Sequence, residues 1–369
     1  MTSIDRPPFR ADHVGSLLRP RSLLELRERV RAGKASREEL RAHEDACIQQ
    51  AVIMQESLGF ESITDGEYRR QTFHGDFLDS LEGVEFKQLF PPGSNESGNH
   101  EAPFVAFVTG KLNRPEGGVE VENFRFLKSL TTRTARQTIP SPTMLHFRGG
   151  RRAIDPHVYP EMNEFFADVA RVFREEITDL AAAGCRYLQI DDTNLAYLCD
   201  EQMRERARER GEDVDALPST YARLINDSIA GRPNDMSVCI HLCRGNAKSR
   251  WFAEGGYEPI ADVLFNELDV DGFFLEYDDE RSGGFEPLRF VPKGKKVVLG
   301  LVSTKRGALE DKDEIKRRID EAARYVPLEQ LCLSPQCGFA SVAEGNFITP
   351  DDEKRKLALV VEIAEEVWG

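Results

Sequence analysis

The sequence alternates short runs rich in β-branched and aromatic residues with longer segments that carry apolar residues every three or four positions. This alternation is typical of parallel strands, because each parallel connection must cross back over the sheet, usually as a helix. The predicted helices are 20–32, 36–58, 160–183, 194–210, 218–230, 257–268, 312–326 and 350–367. Eight strands are predicted, at 10–14, 61–64, 136–139, 187–190, 237–241, 272–276, 296–302 and 330–333. The count predicts an α/β fold, a (β/α)8 TIM barrel.

One stretch, residues 83–134, interrupts the alternation after the second strand. It contains the turn sequence PPGSN at 91–95, a β-like run at 104–108 and, after a Gly-Gly turn, a second β-like run at 119–126. The pattern predicts an antiparallel insertion. A lid over the barrel mouth, a passive elaboration and a homodimer contact all fit it. We expect residues 1–369 to form a single barrel domain that contains this insertion.

The charge of the chain excludes several classes of partner. Lys and Arg number 49 against 64 Asp and Glu, a net charge of −15, which repels nucleic acid and anionic membrane surfaces. No run approaches the roughly 20 apolar residues of a membrane span, and the amino terminus lacks a signal-peptide pattern. The seven cysteines are scattered and odd in number, which does not indicate a disulfide framework. We therefore expect a cytoplasmic protein that binds neither nucleic acid nor membranes.

Polar and metal-binding residues stand at the carboxyl ends of the predicted strands, where barrels of this kind build their active sites. They are Gly15, Ser16, Glu67, Asp191, His241, Cys243, Glu276, Ser303 and Cys337.

His241 and Cys243 lie two residues apart on the fifth strand, so their side chains point to the same side. An imidazole nitrogen and a thiolate are ligands that zinc accepts, although a core histidine beside a buried cysteine gives the same pattern. Glu276 and Cys337, at two other strand ends, would complete a four-ligand zinc site. Taken singly, Glu276 could be a solvated rim carboxylate and Cys337 a buried turn cysteine.

A zinc ion with two thiolate ligands carries too much negative charge to activate water well. Its better use is to bind a substrate thiol, remove the thiol proton and hold a nucleophilic thiolate near neutral pH. A carboxylate ligand such as Glu276 can give up its position to the incoming sulfur. The donor set therefore indicates alkyl transfer to sulfur.

The ordered motifs between Val14 and Cys337 resemble the catalytic domain of cobalamin-independent methionine synthase, especially its short one-domain bacterial members. The resemblance implies methionine biosynthesis, with zinc as cofactor and His241, Cys243, Glu276 and Cys337 as its ligands. It also implies two small-molecule partners, homocysteine and a methyl donor.

The same resemblance assigns the two ends of the amino acid. It implies that Gly15 and Ser16 bind the substrate carboxylate, and that Glu67 and Asp191 are the catalytic carboxylates that hold its ammonium. Physical chemistry supports both, because free backbone N–H groups near a helix start suit an anion and two carboxylates suit one ammonium. For both acids, a structural role is an alternative to binding the ammonium.

The alternative for Asp191 and its neighbour Asp192 is helix capping, and we expect Asp192 to be the more structural of the two. The alternative for Glu67 is an ion pair with Arg69 or Arg70.

Two positions depart from the family pattern. Ser303 stands where the family has a histidine that assists the folate leaving group, and serine cannot act as that acid near neutral pH. Phe147, preceded by His146, stands where the family has a tryptophan that stacks on the pterin. Phe147 and Ser303 are therefore expected to line the donor side, and folate, cobalamin and other methyl donors all remain open.

These observations predict a zinc-dependent S-methyltransferase acting on homocysteine. An epoxyalkane:coenzyme M-type thiol alkyltransferase is an alternative, but its thiol carries a sulfonate and no ammonium for Glu67 and Asp191 to neutralise. A non-catalytic, zinc-stabilised binding barrel is a further alternative. A tetrapyrrole decarboxylase shares the barrel but leaves the zinc ligands unexplained.

Overall fold

The computed structural model describes residues 6–88 and 104–369, so the turn sequence at 91–95 lies outside the described residues. The strands are β1 (Ser62–Ile63), β2 (Glu82–Gln88), β3 (Phe104–Asn113), β4 (Thr134–Ala135), β5 (Gln137–Pro140), β6 (Tyr187–Asp192), β7 (Ser237–Leu242), β8 (Gly272–Glu276), β9 (Lys296–Val302) and β10 (Leu331–Pro335). The helices are α1 (Arg21–Arg31), α2 (Arg37–Leu58), α3 (Gly75–Asp79), α4 (Val121–Leu130), α5 (Met162–Ala182), α6 (Asn194–Tyr197), α7 (Glu201–Glu209), α8 (Leu217–Ile229), α9 (Lys312–Ala322) and α10 (Pro350–Trp368).

Strands β5 to β10 form one parallel sheet in chain order. Beyond β10, Ala11 forms a parallel bridge with Leu333. At the other edge, β4 leads directly into β5 and pairs in parallel with β1. This α/β fold with a parallel sheet agrees with the predicted (β/α)8 barrel, in which the segment around Ala11 and β1 are the first two strands and β4 and β5 together are the third.

The first barrel segment forms two backbone hydrogen bonds with Leu333 of β10, and the buried carboxylate of Asp12 connects it to further strands. Its oxygens accept hydrogen bonds from Ser62 Oγ at 2.9 Å, Arg136 Nη1 at 2.8 Å and the Tyr187 hydroxyl at 2.8 Å. Asp12 and Arg136 are both fully buried, so each neutralises a charge that would otherwise be costly inside the barrel. These contacts tie the first segment to three other strands.

Two predicted helices differ from the structure. The segment predicted as 194–210 is divided into α6 and α7, because Asp200 caps α7 by accepting hydrogen bonds from the amides of Gln202 and Met203. The segment predicted as 257–268 is helical from 258 to 267, but it is not a regular α-helix. It contains a 3₁₀ turn at Glu258–Ile260 and a π-helical turn at Val263–Glu267.

The irregular helical segment at 257–268 makes a tertiary contact at its first residue, Tyr257. There, the Tyr257 hydroxyl accepts a hydrogen bond from the Glu276 amide at 2.9 Å. Sequence periodicity does not report such contacts.

The insertion after the second barrel strand is antiparallel, as predicted: β2 pairs with β3 in a register that joins Val84 to Val108. The β-like run predicted at 119–126 is wrong, because this part of the chain forms α4. Val121, Phe124 and Leu127 recur every three residues and are all buried, which places them on one face of a helix.

None of the helices in the described part of the chain combines the length and the apolar character needed to cross a bilayer. All seven cysteines are free and buried.

Candidate metal centre

Three of the four predicted zinc ligands meet at the carboxyl end of the barrel. His241 and Cys243 come from the end of β7, Cys337 follows β10, and one ligand atom of each lies within 4.8 Å of the others. We call these three residues the His–Cys–Cys cluster. All three are buried, and neither ring nitrogen of His241 has a hydrogen-bond partner, which is unusual for a buried polar side chain. One imidazole and two thiolates are a donor set that fits zinc.

The cluster already carries part of the negative charge that a cation needs. The Sγ atoms of Cys243 and Cys337 are 3.2 Å apart. Hydrogen bonding from Cys243, opposed by burial and assisted by His241, lowers the pKa of Cys337 well below the ordinary thiol value. The same thiol–thiol contact, together with burial, raises the pKa of Cys243 well above it. Taken together, these shifts favour the loss of one proton from the pair of thiols.

Glu276, the fourth predicted ligand, lies at the end of β8 but is not part of the His–Cys–Cys cluster. Its Oε1 accepts hydrogen bonds from Lys305 Nζ at 3.0 Å and from Arg281 Nη2, and its Oε2 accepts one from the Arg244 amide at 2.8 Å. Burial alone would raise the pKa of Glu276, but the Lys305, Arg281 and Arg244 cations outweigh it and lower the pKa to about 2. Glu276 is therefore an ionised carboxylate held by cations.

Lys305 and Arg281 are shared with a second acid. Asp278 lies 3.3 Å from Lys305 Nζ and 3.1 Å from Arg281 Nη2. Arg244, whose Nη1 lies 3.9 Å from Glu276 Oε2, is a third cation here, and Asp279 pairs with Arg281 at 3.2 Å. Three cations thus face three carboxylates, which satisfies the requirement that buried charges be paired.

The two predicted ammonium-binding acids, Glu67 and Asp191, are both buried. Glu67 Oε1 accepts a hydrogen bond from Thr138 Oγ1 at 3.0 Å, whereas Glu67 Oε2 has no partner. Asp191 Oδ1 accepts one from Gln189 Nε2 at 2.7 Å, and Asp191 stands beside His241 in the strand register. Burial, and then the Glu67 charge, raise the pKa of Asp191 to about 7. Each of these acids makes ionisation of the other less favourable, so a cation bound between them would be stabilised by both carboxylates.

Arg70, which sequence reasoning considered as a partner of Glu67, lies 3.6 Å from Glu67 Oε1. Arg69 instead donates to Asp45 at 2.8 Å. The contact with Arg70 involves Glu67 Oε1 and leaves Oε2 without a partner. The ion pair therefore leaves one carboxylate oxygen available for a ligand.

The loop of Gly15 and Ser16 connects the acids to the cluster. Gly15 has a φ of 131°, and a Cβ atom there would lie 2.9 Å from Thr138 Cγ2 and 3.5 Å from Glu67 Oε1. The Ser16 carbonyl accepts a hydrogen bond from the Phe339 amide, two residues beyond Cys337, at 2.9 Å. Only a glycine backbone fits so close to Glu67 in this conformation.

Asp192 has the structural role expected of it. Its Oδ1 accepts a hydrogen bond from the Leu195 amide at 2.7 Å and so caps α6, while its Oδ2 accepts one from Thr143 Oγ1 at 2.6 Å.

The residues predicted for the donor side are largely packed. Phe147 is buried, and its ring centroid lies 6.1 Å from that of Tyr197. His146 Nδ1 is 2.8 Å from the Tyr221 hydroxyl. Ser303 is also buried, and its amide donates to Glu310 Oε1 at 3.1 Å.

Sequence reasoning missed Lys305 and Arg281. Lys305 comes three residues after β9, so the strand-end rule that selected the other residues could have found it. Arg281 lies in a loop five residues beyond Glu276, and nothing in its spacing indicates that it folds back onto that carboxylate.

The chain is similar to known proteins over most of its length. The family model described as "Cobalamin-independent synthase, Catalytic domain" matches residues 9–366. YxjH, an uncharacterised protein of Bacillus subtilis, is 44% identical over 98% of this chain and 96% of its own length. A methionine synthase of Saccharolobus solfataricus is 26% identical over 93% of this chain and 95% of its own.

Solved structures are similar over nearly the whole chain. A proposed vitamin-B12-independent methionine synthase from Listeria monocytogenes has a TM-score of 0.79 and 38% identity, with 99% of each chain covered. A B12-independent methionine synthase from Shewanella sp. W3-18-1, solved in complex with selenomethionine, has a TM-score of 0.73 and 20% identity, with 97% of each chain covered. At that identity the second likeness concerns the fold alone.

Proposed function

Because this chain belongs to the family of cobalamin-independent synthase catalytic domains, we propose that it is a zinc-dependent S-methyltransferase that methylates the thiol of homocysteine. The observation that carries the proposal is the buried His–Cys–Cys cluster on the same barrel mouth as the unpaired oxygen of Glu67. A metal-binding group and an ammonium-binding acid are the two features that an amino-acid thiol requires.

His241, Cys243 and Cys337 would hold the zinc, with Glu276 as a fourth, exchangeable ligand. Zinc bound there would lower the pKa of a substrate thiol and keep it as a nucleophilic thiolate. Lys305 and Arg281 support the exchange, because they give the Glu276 carboxylate charged partners whenever it is not a ligand. Asp278 keeps the charge balanced in that arrangement.

Glu67 and Asp191 would bind the ammonium of homocysteine, and the Gly15–Ser16 backbone would bind its carboxylate. Binding both the ammonium and the carboxylate of homocysteine would fix the position of its thiol relative to the cluster. The thiol would then react from a defined orientation, without the entropic cost of a random bimolecular encounter. Two buried carboxylates suit this acceptor better than a thiol that carries a sulfonate, since a sulfonate offers no positive charge to neutralise them.

The methyl donor is a second small molecule, for which Phe147 and Ser303 are proposed as lining residues. A serine hydroxyl does not protonate a leaving group near neutral pH. The proposal therefore does not favour methyltetrahydrofolate over other methyl donors. We propose the cytoplasm as the location, because seven free cysteines suit a reducing compartment. Residues 1–369 are proposed as one domain, with 83–134 as its insertion.

A donor screen tests the function. Purified zinc-loaded protein is incubated with homocysteine and, in turn, with methyltetrahydrofolate, methylcobalamin or small methylated sulfur compounds, and methionine is measured by mass spectrometry. Turnover with one donor that is lost in Cys337→Ser and kept in Cys199→Ser supports the proposal. Cys199 is a suitable control because it is buried but lies outside the cluster. Zinc-loaded protein that forms no methionine with any of these donors would favour a non-catalytic binding barrel.

A further inference from the structure

The insertion is connected to the ammonium side of the site through one buried side chain, that of Glu120. Glu120 immediately precedes α4 and is 3% exposed. Its amide and that of Val119 donate to the two carboxylate oxygens of Glu176 on α5, at 2.7 and 2.9 Å. The backbone at this point is therefore fixed to the barrel, and the Glu120 side chain extends inward from a defined position.

Glu120 binds the cation that stands next to Glu67. Arg70 Nε donates to Glu120 Oε1 at 3.1 Å, and Arg70 Nη1 donates to Thr138 Oγ1 at 2.9 Å. The same Thr138 hydroxyl donates to Glu67 Oε1 at 3.0 Å. Arg70 thus hydrogen-bonds to Glu120 and to Thr138, and its Nη1 lies 3.6 Å from Glu67 Oε1, within ion-pair range but too far for a hydrogen bond.

Glu120 has no spare capacity for a substrate of its own. Its Oε2 accepts a hydrogen bond from Asn123 Nδ2 at 2.9 Å and a longer one from Gln137 Nε2 at 3.4 Å. Glu120 therefore acts on the site through its contact with Arg70. Glu67, by contrast, keeps a buried Oε2 without a hydrogen-bond partner.

A charge count shows the consequence. Glu120 offsets the positive charge of Arg70, so that the charges of Glu67 and Asp191 are left for an incoming ammonium. Without the Glu120 charge, Arg70 would be balanced by Glu67 instead, and the ammonium would lose part of the negative charge that attracts it. Uncompensated buried charge is strongly unfavourable.

We propose that Glu120 is a positioning residue that selects thiols carrying an ammonium group, by binding Arg70 and so leaving Glu67 available to the substrate. The inference rests on the proposed function, because homocysteine supplies the ammonium. It gives the insertion a role in acceptor specificity, which is distinct from the lid, passive and dimer-contact roles that the sequence leaves open.

The test compares two ligands that differ only in the ammonium. Binding of L-homocysteine and of 4-mercaptobutanoate, which lacks the amino group, is measured by calorimetry on the zinc-loaded full chain. In Glu120→Gln, homocysteine should bind about 10-fold more weakly or worse, as expected when a charged partner leaves a buried network. Binding of 4-mercaptobutanoate should change by less than about twofold, because that ligand makes no use of the Glu67 charge.

Two variants separate this role from general damage to α4. Glu122→Gln removes an exposed carboxylate of the same helix that pairs with Arg125, and it should change neither ligand's affinity. Glu120→Asp retains the charge and should recover part of the preference for homocysteine.

The outcomes distinguish the two claims. If the wild type binds both thiols equally, the ammonium site of the proposed function is wrong. If the wild type prefers homocysteine and Glu120→Gln keeps that preference, the inference about Glu120 is overturned. Should Glu120→Gln fail to fold, Asn123→Ala is used, which removes one hydrogen bond from Glu120 and should reduce the preference by about twofold or more. An unchanged preference in that variant overturns the inference as well.

Discussion

The Sγ atoms of Cys243 and Cys337 lie 3.2 Å apart although 94 residues separate the two cysteines. They follow β7 and β10, which are not neighbours in the sheet because β8 and β9 lie between them. Side chains from such strands meet when the sheet curves into a closed barrel and its strand ends surround one mouth. The curvature of the sheet therefore brings together the two thiol ligands of the candidate metal site.

Removing a cluster ligand should abolish tight zinc binding. We expect Cys337→Ser to weaken zinc affinity by at least about 100-fold, since even partners outside the coordination sphere are worth 10- to 100-fold. Zinc affinity is measured by competition with a chromogenic chelator. Cys199→Ser, a buried cysteine outside the cluster, should retain wild-type affinity. Stoichiometric, tightly bound zinc in Cys337→Ser would rule out the cluster as the metal site.

Lys305 should weaken zinc binding in the wild type, because it holds Glu276 and adds a positive charge near the metal. Lys305→Met should consequently bind zinc more tightly, by about tenfold if the effect is near 1.4 kcal/mol, and homocysteine less tightly, because a firmer Glu276 ligand is harder to displace. Lys248→Met is the control, since Lys248 pairs with Glu344 on the surface. Equal zinc affinity in wild type and Lys305→Met would contradict a link between Lys305 and the metal.

Glu67 should contribute to acceptor binding through its charge. Glu67→Gln keeps the size of the side chain and should reduce homocysteine affinity by about 1–3 kcal/mol, the cost of leaving a buried charged group without its partner. Calorimetry on the zinc-loaded protein measures the affinity. Glu61→Gln, an exposed acid just before β1, should behave as the wild type. Homocysteine binding that survives Glu67→Gln unchanged would remove Glu67 from the ammonium site.

The stability of the fold should fall as the pH rises through the range in which Glu353 loses its proton. Burial, opposed only by a hydrogen bond from the Leu18 amide, raises the pKa of Glu353 to about 8. The unfolded carboxyl has the ordinary value near 4.5, so between these values the unfolded chain binds fewer protons than the folded one. The free energy of unfolding therefore decreases with rising pH across this window.

Glu353→Gln provides the measurement for that pH dependence. Urea unfolding at pH 5 and at pH 8 should show a smaller loss of stability in the variant than in the wild type, by at least about 1 kcal/mol. The amide of Gln retains an oxygen that can accept the Leu18 hydrogen bond. Equal pH dependence in the two proteins would show that Glu353 is not protonated in the fold.

Much of the site could be predicted from the sequence because it depends on local rules. The i, i+2 spacing of His241 and Cys243 fixes a shared side of one strand, and the strand-end rule adds Cys337 and Glu67. The family resemblance drawn from these motifs is confirmed by the match over residues 9–366. The barrel and its antiparallel insertion were predictable for the same reason.

The rest depends on contacts between distant segments. The cations at Glu276, which are Arg244, Arg281 and Lys305, come from the segments after β7, β8 and β9. No spacing in the sequence brings Arg281 to that carboxylate rather than to solvent. The Val121–Leu130 segment carries apolar residues that also suit a strand, and its helical form depends on burial of one face. Glu120 precedes that helix and joins Arg70 only because Glu176 fixes the backbone there.

The central claim is that zinc in the His–Cys–Cys cluster exchanges an oxygen ligand for the sulfur of its substrate. X-ray absorption at the zinc edge, recorded with and without homocysteine, measures this directly. We predict one nitrogen, two sulfurs and at least one oxygen in the free protein, with the oxygen replaced by a third sulfur when homocysteine binds. An identical ligand set in both samples would contradict the account.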